Sequence, residues 1–264
     1  MNVISFPKLG IVLNVNPVAF SIGAKSIYWY ALIILTGFFA GGTFVYFTAE
    51  KRGLKKDCVW DIALYGLIAG IICARIYYVL FALDEFKSFW DVFKIWNGGL
   101  AIYGGIIGAV ISTAIYCKVK KINFLNTVDV CCPGLFIGQA IGRFGNFVNA
   151  EVYGLETSLP WGMSINGTPP VHPVFLYESV WNLLGLLLLI LFQDKKTANG
   201  QVFCFYIFWY SLGRLFLEGM RNTDYILYLI PGILGISQAV AVLGILIGGI
   251  GFFIVTKKSK ILQK

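Results

Sequence analysis

Seven long apolar stretches, separated by short basic clusters, constrain this chain more than any other feature. A helix needs about 20 mainly apolar residues to cross a bilayer. Stretches of that order fall at roughly 27–48, 58–82, 98–117, 125–141, 174–192, 201–219 and 234–256. A closed β-barrel is the other way to span a membrane, and it alternates apolar and polar residues instead of running in blocks. The pattern predicts an all-α integral membrane protein with seven transmembrane helices, a single polytopic membrane domain over residues 1–264. Composition agrees. The chain is 58% hydrophobic and 13% charged, with a mean hydropathy of +0.78, against about 45–50% and about 25% in soluble domains.

The net charge is +8, and its placement says more than its size. Lys51/Arg52/Lys55/Lys56, Lys118/Lys120/Lys121, Lys195/Lys196 and Lys257/Lys258/Lys260/Lys264 follow the first, third, fifth and seventh stretches. Cytoplasmic loops of membrane proteins carry an excess of Lys and Arg. That rule accounts for all four clusters at once and removes the case for a nucleic-acid partner. It predicts an N-terminus outside, a C-terminus in the cytoplasm, and outward connections at about 83–97, 142–173 and 220–233. Residues 1–25 carry Pro7 and Pro17 and lack a basic start before a clean apolar core. They read as an interfacial segment on the outer face rather than a cleavable signal peptide.

Cys58, Cys73, Cys117, Cys131, Cys132 and Cys204 all lie in or beside apolar stretches, without a CxxC pair. Neither a disulfide framework nor a zinc site is indicated. With His172 as the single histidine, no metal and no cofactor are expected. Glycines four apart at Gly66/Gly70, Gly104/Gly108, Gly134/Gly138/Gly142 and Gly244/Gly248 suit close helix packing. Gly98-Gly99 and Gly104-Gly105 can also mark a backbone kink.

Polar residues stand out against this background. An arginine at the membrane centre costs about 2.5–3.5 kcal/mol on insertion scales, so intramembrane charge is a functional hypothesis by default. Arg143, Asn146, Asn149 and Glu151 open the longest outward connection. Tyr210, Arg214, Glu218 and Arg221 are spaced 4, 4 and 3 apart, on one helical face. Arg75 lies late in the second stretch. His172-Pro173 and Tyr177-Glu178 stand where the fifth begins. An ordinary i, i+4 ion pair explains Arg214 and Glu218 alone. It does not explain three arginines at one depth, for which Glu151 and Glu218 come first as carboxylate partners and Glu178 after them. Surplus positive charge at the outer leaflet invites an anion. Lipid phosphate is the abundant one, and arginine binds it with a planar fork that never deprotonates. HExxH and GxSxG are both absent from the sequence, which removes the signatures of zinc proteases and serine hydrolases.

Gly142-Arg143-x-x-Asn146-x-x-Asn149-x-Glu151-x-x-Gly154 resembles the signature of the bacterial prolipoprotein diacylglyceryl transferase family. Further blocks resemble the same family in the same order. They are Tyr28-Trp29-Tyr30, Trp96-x-Gly98-Gly99-Leu100 with Gly104-Gly105, His172-Pro173-x-x-x-Tyr177-Glu178, and Gly213-Arg214-x-x-x-Glu218-x-x-Arg221. The resemblance implies an enzyme of the bacterial plasma membrane, active towards the outer leaflet. It implies transfer of the diacylglyceryl group of phosphatidylglycerol to the lipobox cysteine thiol in a prolipoprotein signal peptide. A thioether forms, glycerol phosphate leaves, and the product is held by two acyl chains, as stable anchoring requires.

The residues suit that chemistry. Arg143 and Arg214 can hold the charge that develops on the leaving phosphate. Asn146, Asn149, Gly154, Tyr30, Tyr210 and Arg75 fall in the phosphatidylglycerol-binding set. Glu151 and Glu218 either orient the arginines or take the thiol proton. Many family members place a histidine before the paired glycines, where this chain has Tyr103. A phenol, with a pKa near 10, is a poor base at neutral pH unless an arginine lowers it strongly, so either Tyr103 is an activated phenolate, or Glu151 or Glu218 is the base, or no dedicated base is required; the reading favoured for Tyr103 is a positioning hydrogen-bond donor. His172 either acts in the site or ties down the outer loop. The alternative from another class is an anion transporter using Arg75, Arg143 and Arg214. Such a protein distributes polar residues through both leaflets and shows repeats, whereas here the inner halves of the stretches are mostly apolar.

Overall fold

The computed structural model describes residues 1–262 except Ala24, Lys87 and Pro231; Lys264, in the last basic cluster, lies outside the described residues. Seven helices carry the fold: α1 (Trp29–Ala49), α2 (Lys56–Phe81), α3 (Ile102–Lys120), α4 (Phe124–Asn149), α5 (Val174–Gln193), α6 (Gln201–Glu218) and α7 (Ile236–Leu262). Six of them, α1 to α5 and α7, are long and apolar enough to cross a membrane. The sixth, α6, carries Arg214 and Glu218 within its 18 residues and falls outside that set. The described residues therefore establish six candidate spans, one fewer than the sequence reading.

Two boundaries differ from the sequence reading for physical reasons. α3 begins at Ile102 instead of 98, because Gly98 and Gly99 hold φ at 89° and 77°, in the left-handed region that glycine tolerates. α4 runs on to Asn149, so Arg143, Asn146 and Asn149 stand on a helix and not in a loop. Gly142 and Gly145 both lie inside this helix, although glycine is a poor helix former in water. In a membrane helix the backbone must satisfy its own hydrogen bonds, and helix-breaking residues are tolerated.

Short strands accompany the helices. Seven short strands form three small sheets among the described residues. β1 (Asn2–Phe6) pairs antiparallel with β2 (Ile11–Val15) and with β5 (Ser164–Ile165), while β3 (Val18–Ile22) pairs with β4 (Lys25–Tyr28). β6 (Tyr228–Ile230) pairs with β7 (Leu234–Gly235) ahead of α7. Residues 1–28 are thus two hairpins, built from β-branched residues and a tight turn at Gly10, where φ is 68°. Such short segments give little periodicity to read.

The chain divides into two compact units. One is Val45–Val130. There α2 packs on α3 at close range, since a Cβ added to Gly104 or Gly108 would meet the carbonyls of Cys73 or Ala69. The other is Met1–Phe44 together with the chain from Cys131 onward. In it α6 packs on α5 and on α7, and Gly37 and Gly41 of α1 lie against Gly138 and Gly134 of α4. One apolar core there joins Ile4, Met163, Ile165, Val171 and Phe175; another joins Cys132, Phe136, Leu189 and Val202. Gly244 and Gly248 meet Ser211 and Phe208 of α6. Gly66 has no such neighbour, so close packing explains most of the glycine pairs but not that residue. Outward faces are apolar too: Ile106, Ile107, Val110, Ile111 and Ile115 of α3, and Leu246, Ile247, Ile250 and Phe253 of α7, are all exposed. Apolar surface on that scale belongs against lipid.

Candidate active site

The polar site of the larger unit is built from α4, α5, α6 and the segment after α6. Glu178 is the one charged residue of α5, and it is the hub. Its Oε1 accepts from Arg214 Nη1 and from Arg221 Nη2, each at 2.9 Å, and its Oε2 pairs with Arg143 Nε. Glu218 Oε2 pairs with Arg214 Nη2 at 2.9 Å and with Arg221 Nη1 at 3.4 Å. Three guanidiniums thus share two carboxylates, leaving one positive charge in surplus. Removing such groups from water is repaid only by close pairing.

Exposure sorts the five groups. The side chains of Glu218, Glu178 and Arg221 are 2%, 7% and 7% exposed, while Arg214 and Arg143 reach 18% and 23%. The carboxylates and Arg221 form the buried base. Arg143 and Arg214 line a cleft together with Trp181, Asn182 and Tyr210, and Arg214 Nη2 also donates to Ser237 Oγ at 3.3 Å. Burial, and then the neighbouring charge of Arg214, pull the Arg221 guanidinium below its ordinary pKa.

A second polar string extends along α4. Arg143 Nη1 donates to Asn146 Oδ1 at 3.4 Å. Asn146 Nδ2 donates to Glu151 Oε1 at 3.0 Å, and Asn149 Nδ2 approaches the same oxygen at 3.4 Å. Glu151 folds back because Ala150 and Val152 hold φ at 54° and 56°. For β-branched Val152 that is a strained conformation, of a kind that clusters at functional sites. So Glu151 binds the asparagines, and Glu178, ranked last in the sequence, binds the arginines.

The remaining expected residues fall as follows. The Tyr30 ring lies against Gly145, where an added Cβ would come within 2.7 Å of it. Gly154 pairs with Arg221 as a backbone bridge and donates its N–H to the His172 carbonyl at 2.9 Å; a Cβ there would collide with His172 and Met220. His172 Nδ1 lies 3.2 Å from the Tyr177 hydroxyl, and burial lowers its pKa, which favours the neutral ring. It ties the end of the loop before α5 to the first turn of that helix. Arg75 and Tyr103 belong to the smaller unit. Expected on phosphate, the Arg75 guanidinium instead donates to four backbone carbonyls, those of Asp91, Val92, Gly98 and Gly99, at 2.7–2.9 Å. Tyr103, in the first turn of α3, is half-buried.

The cleft is walled by a tryptophan pair that joins α5 to α6. Trp181 and Trp209 stack with centroids 4.5 Å apart, and each indole N–H donates to the other's carbonyl at 3.0 Å. Gly213 leaves the space Trp181 occupies, since an added Cβ would collide with that indole. Gly213→Ala is expected to cost about 1–3 kcal/mol through overpacking. A lower thermal midpoint in detergent and a shifted tryptophan emission are the readouts; an unchanged midpoint would contradict this packing role.

A multi-pass helical membrane protein with a buried, arginine-rich cleft is the class that fold and site define. A family model described as prolipoprotein diacylglyceryl transferase matches residues 17–254. A phosphatidylglycerol–prolipoprotein diacylglyceryl transferase of Clostridium perfringens is 42% identical over 257 residues, covering 93% of this chain and 96% of the relative. Proteins of that name from Lysinibacillus sphaericus and Clostridioides difficile are each 40% identical, over 253 and 244 residues, covering 90% and 92% of this chain and 91% and 96% of the relatives. The chain belongs to the prolipoprotein diacylglyceryl transferase family.

Proposed function

We propose that this protein moves the diacylglyceryl group of phosphatidylglycerol to the cysteine thiol of a prolipoprotein lipobox, the first step of lipoprotein maturation. The observation that carries the chemistry is the surplus cation at Arg143 and Arg214 on the open side of the ion cluster. The thiolate sulfur attacks the glyceryl carbon, the carbon–oxygen bond to phosphate breaks, and glycerol phosphate leaves with the bonding pair. A free thiol has a pKa near 8.5 and must lose its proton to attack well; that proton goes either to Glu151 or Glu218 or, with no dedicated base, to water. Charge grows on the leaving phosphate, where fixed donors in a water-poor site act most strongly. Arg143 and Arg214 supply those donors, held in place by Glu178 and Glu218. Asn146 and Asn149, set by Glu151, face the lipid headgroup with Tyr30 and Tyr210. Gly154 holds the outer loop over the site; the resemblance implies a hydrogen-bonding role for Tyr103, which lies in the smaller unit.

The basic clusters support a topology with the N-terminus outside, the C-terminus in the cytoplasm and α6 as a seventh span. The chain then works as one polytopic domain of the bacterial plasma membrane, with its site towards the outer leaflet, where phosphatidylglycerol and a translocated precursor meet. The test is transfer by purified protein to a lipobox peptide, scored as glycerol phosphate release. Arg143→Ala and Arg214→Ala are each expected to lower kcat by about 10²–10³-fold, the usual loss for one oxyanion donor, while Tyr103→Phe retains turnover. Folded Arg143→Ala and Arg214→Ala proteins that both kept full transfer would rule out the phosphate clamp.

A further inference from the structure

One helical turn inward from the ion cluster, the cleft has a second polar level. Asn182 follows Glu178 by four residues on α5, and Tyr210 precedes Arg214 by four on α6. At 1.5 Å per residue both stand about 6 Å deeper than the charges, one on each helix. The two helices run antiparallel here, since Glu178 meets Arg214 and Trp181 meets Trp209. Asn182 is 3% exposed, lines the cleft, and its buried Oδ1 has no hydrogen-bond partner among the described residues. Buried polar atoms are nearly always paired, and an orphan requires an explanation. No hydrogen bond to the Tyr210 hydroxyl occurs among the described residues either, and this residue also lines the cleft.

We propose that Asn182 and Tyr210 form a hydroxyl-reading subsite that selects a lipid donor by its polyol headgroup. This rests on the transferase reading above. A carboxamide offers an acceptor and two donors, and a hydroxyl is both donor and acceptor, so the two groups satisfy each other. An ammonium headgroup satisfies the acceptor alone and meets the surplus positive charge of Arg143 and Arg214 one turn away. With phosphate on those arginines, the turn of about 6 Å between the levels suits a three-carbon headgroup whose hydroxyls reach Asn182. A site built to hydrogen-bond a substrate hydroxyl discriminates strongly against the analogue that lacks it, because its own polar groups are then left unpaired.

The test compares phosphatidylglycerol with phosphatidylpropanol, which keeps the phosphate, its charge and the three carbons but has no free headgroup hydroxyl. Full-length protein in detergent micelles transfers from each donor to a lipobox peptide, and the readout is the ratio of the two kcat/KM values. Asn182→Leu is expected to lower that ratio by about 10–100-fold, the loss falling on phosphatidylglycerol. Tyr210→Phe, which removes one oxygen and little volume, is expected to lower it in the same direction and keeps the test available if Asn182→Leu does not fold. Equal losses with both donors, or a wild-type ratio near one, would overturn the subsite while leaving the transferase reading intact. Wild-type protein that transfers from neither donor would overturn the transferase reading and the subsite with it.

Discussion

Replacing Glu178 with alanine is expected to abolish measurable transfer, a fall of at least about 10³-fold, and to lower stability by about 3–5 kcal/mol. Removing one partner from a buried ion pair has that order of cost, because the other partner is left uncompensated. Here the loss is shared by three partners, since Arg143, Arg214 and Arg221 all reach this one carboxylate. Glu218 would remain as the single acid beside three guanidiniums. The arginines would then separate, and the two that face the cleft would lose the orientation that aims them at phosphate. Glu178→Gln separates the two effects. It keeps shape and two hydrogen-bonding atoms but removes the charge, so it is expected to fold more stably than Glu178→Ala and still transfer poorly. The measurements are thermal midpoints in detergent and glycerol phosphate release. A Glu178→Gln protein with full turnover would show that the arginines are placed by other contacts.

From the sequence, Glu178 comes after Glu151 and Glu218 as a partner for the arginines. Its partners Arg214 and Arg221 lie 36 and 43 residues away, and no local spacing connects them. The Arg214–Glu218 pair was legible because i, i+4 neighbours share a helical face. A signal for Glu178 was nonetheless present: it is the lone charge of a long apolar helix, and an intramembrane carboxylate needs a cation. The helices themselves were legible from hydropathy, because lipid leaves few other ways to satisfy a backbone. The end of α4 was not, since Gly142, Asn146 and Asn149 carry loop composition while standing in a helix. Nor were the N-terminal hairpins, whose β1 pairs Ile4 with Ile165 and Ser5 with Ser164, far away in the sequence. Asn182 stands in no motif of the sequence, because its significance lies in an unpaired oxygen that only packing reveals.

Arg75 presents the converse case, a membrane arginine whose hydrogen bonds all run to backbone carbonyls. Its guanidinium is a clamp on the segment between α2 and α3. Nε donates to Val92, Nη1 to Gly98 and Gly99, and Nη2 to Asp91, so four of its five N–H groups are committed to backbone carbonyls. The Phe86 ring lies 5.0 Å away on one side, in range for a cation–π contact. Gly98 and Gly99 turn their carbonyls inward through positive φ, and a Cβ on Gly99 would meet Arg75 Nη1 at 2.5 Å and the Tyr78 ring at 2.7 Å. Gly99 is therefore explained by this arginine and Tyr78, and Gly98 by its positive φ alone. Arg75→Ala leaves four inward carbonyls without their donor. Hydrogen bonds to charged groups are worth about 1.5–3 kcal/mol each, and since four bonds of one group are not additive, a total near 3–5 kcal/mol is expected. Arg75→Lys is expected to rescue little, because a single ammonium cannot reproduce a planar fork that spans four acceptors. Hydrogen exchange across Ser88–Gly99 is the direct readout, with large acceleration expected in both variants and a fall in the thermal midpoint of about 10 °C. If the amides of this segment stayed protected in Arg75→Lys, charge alone would be holding it and the fork geometry would not matter. If exchange were unchanged in both variants while transfer from phosphatidylglycerol collapsed, Arg75 would belong to the phosphate site after all.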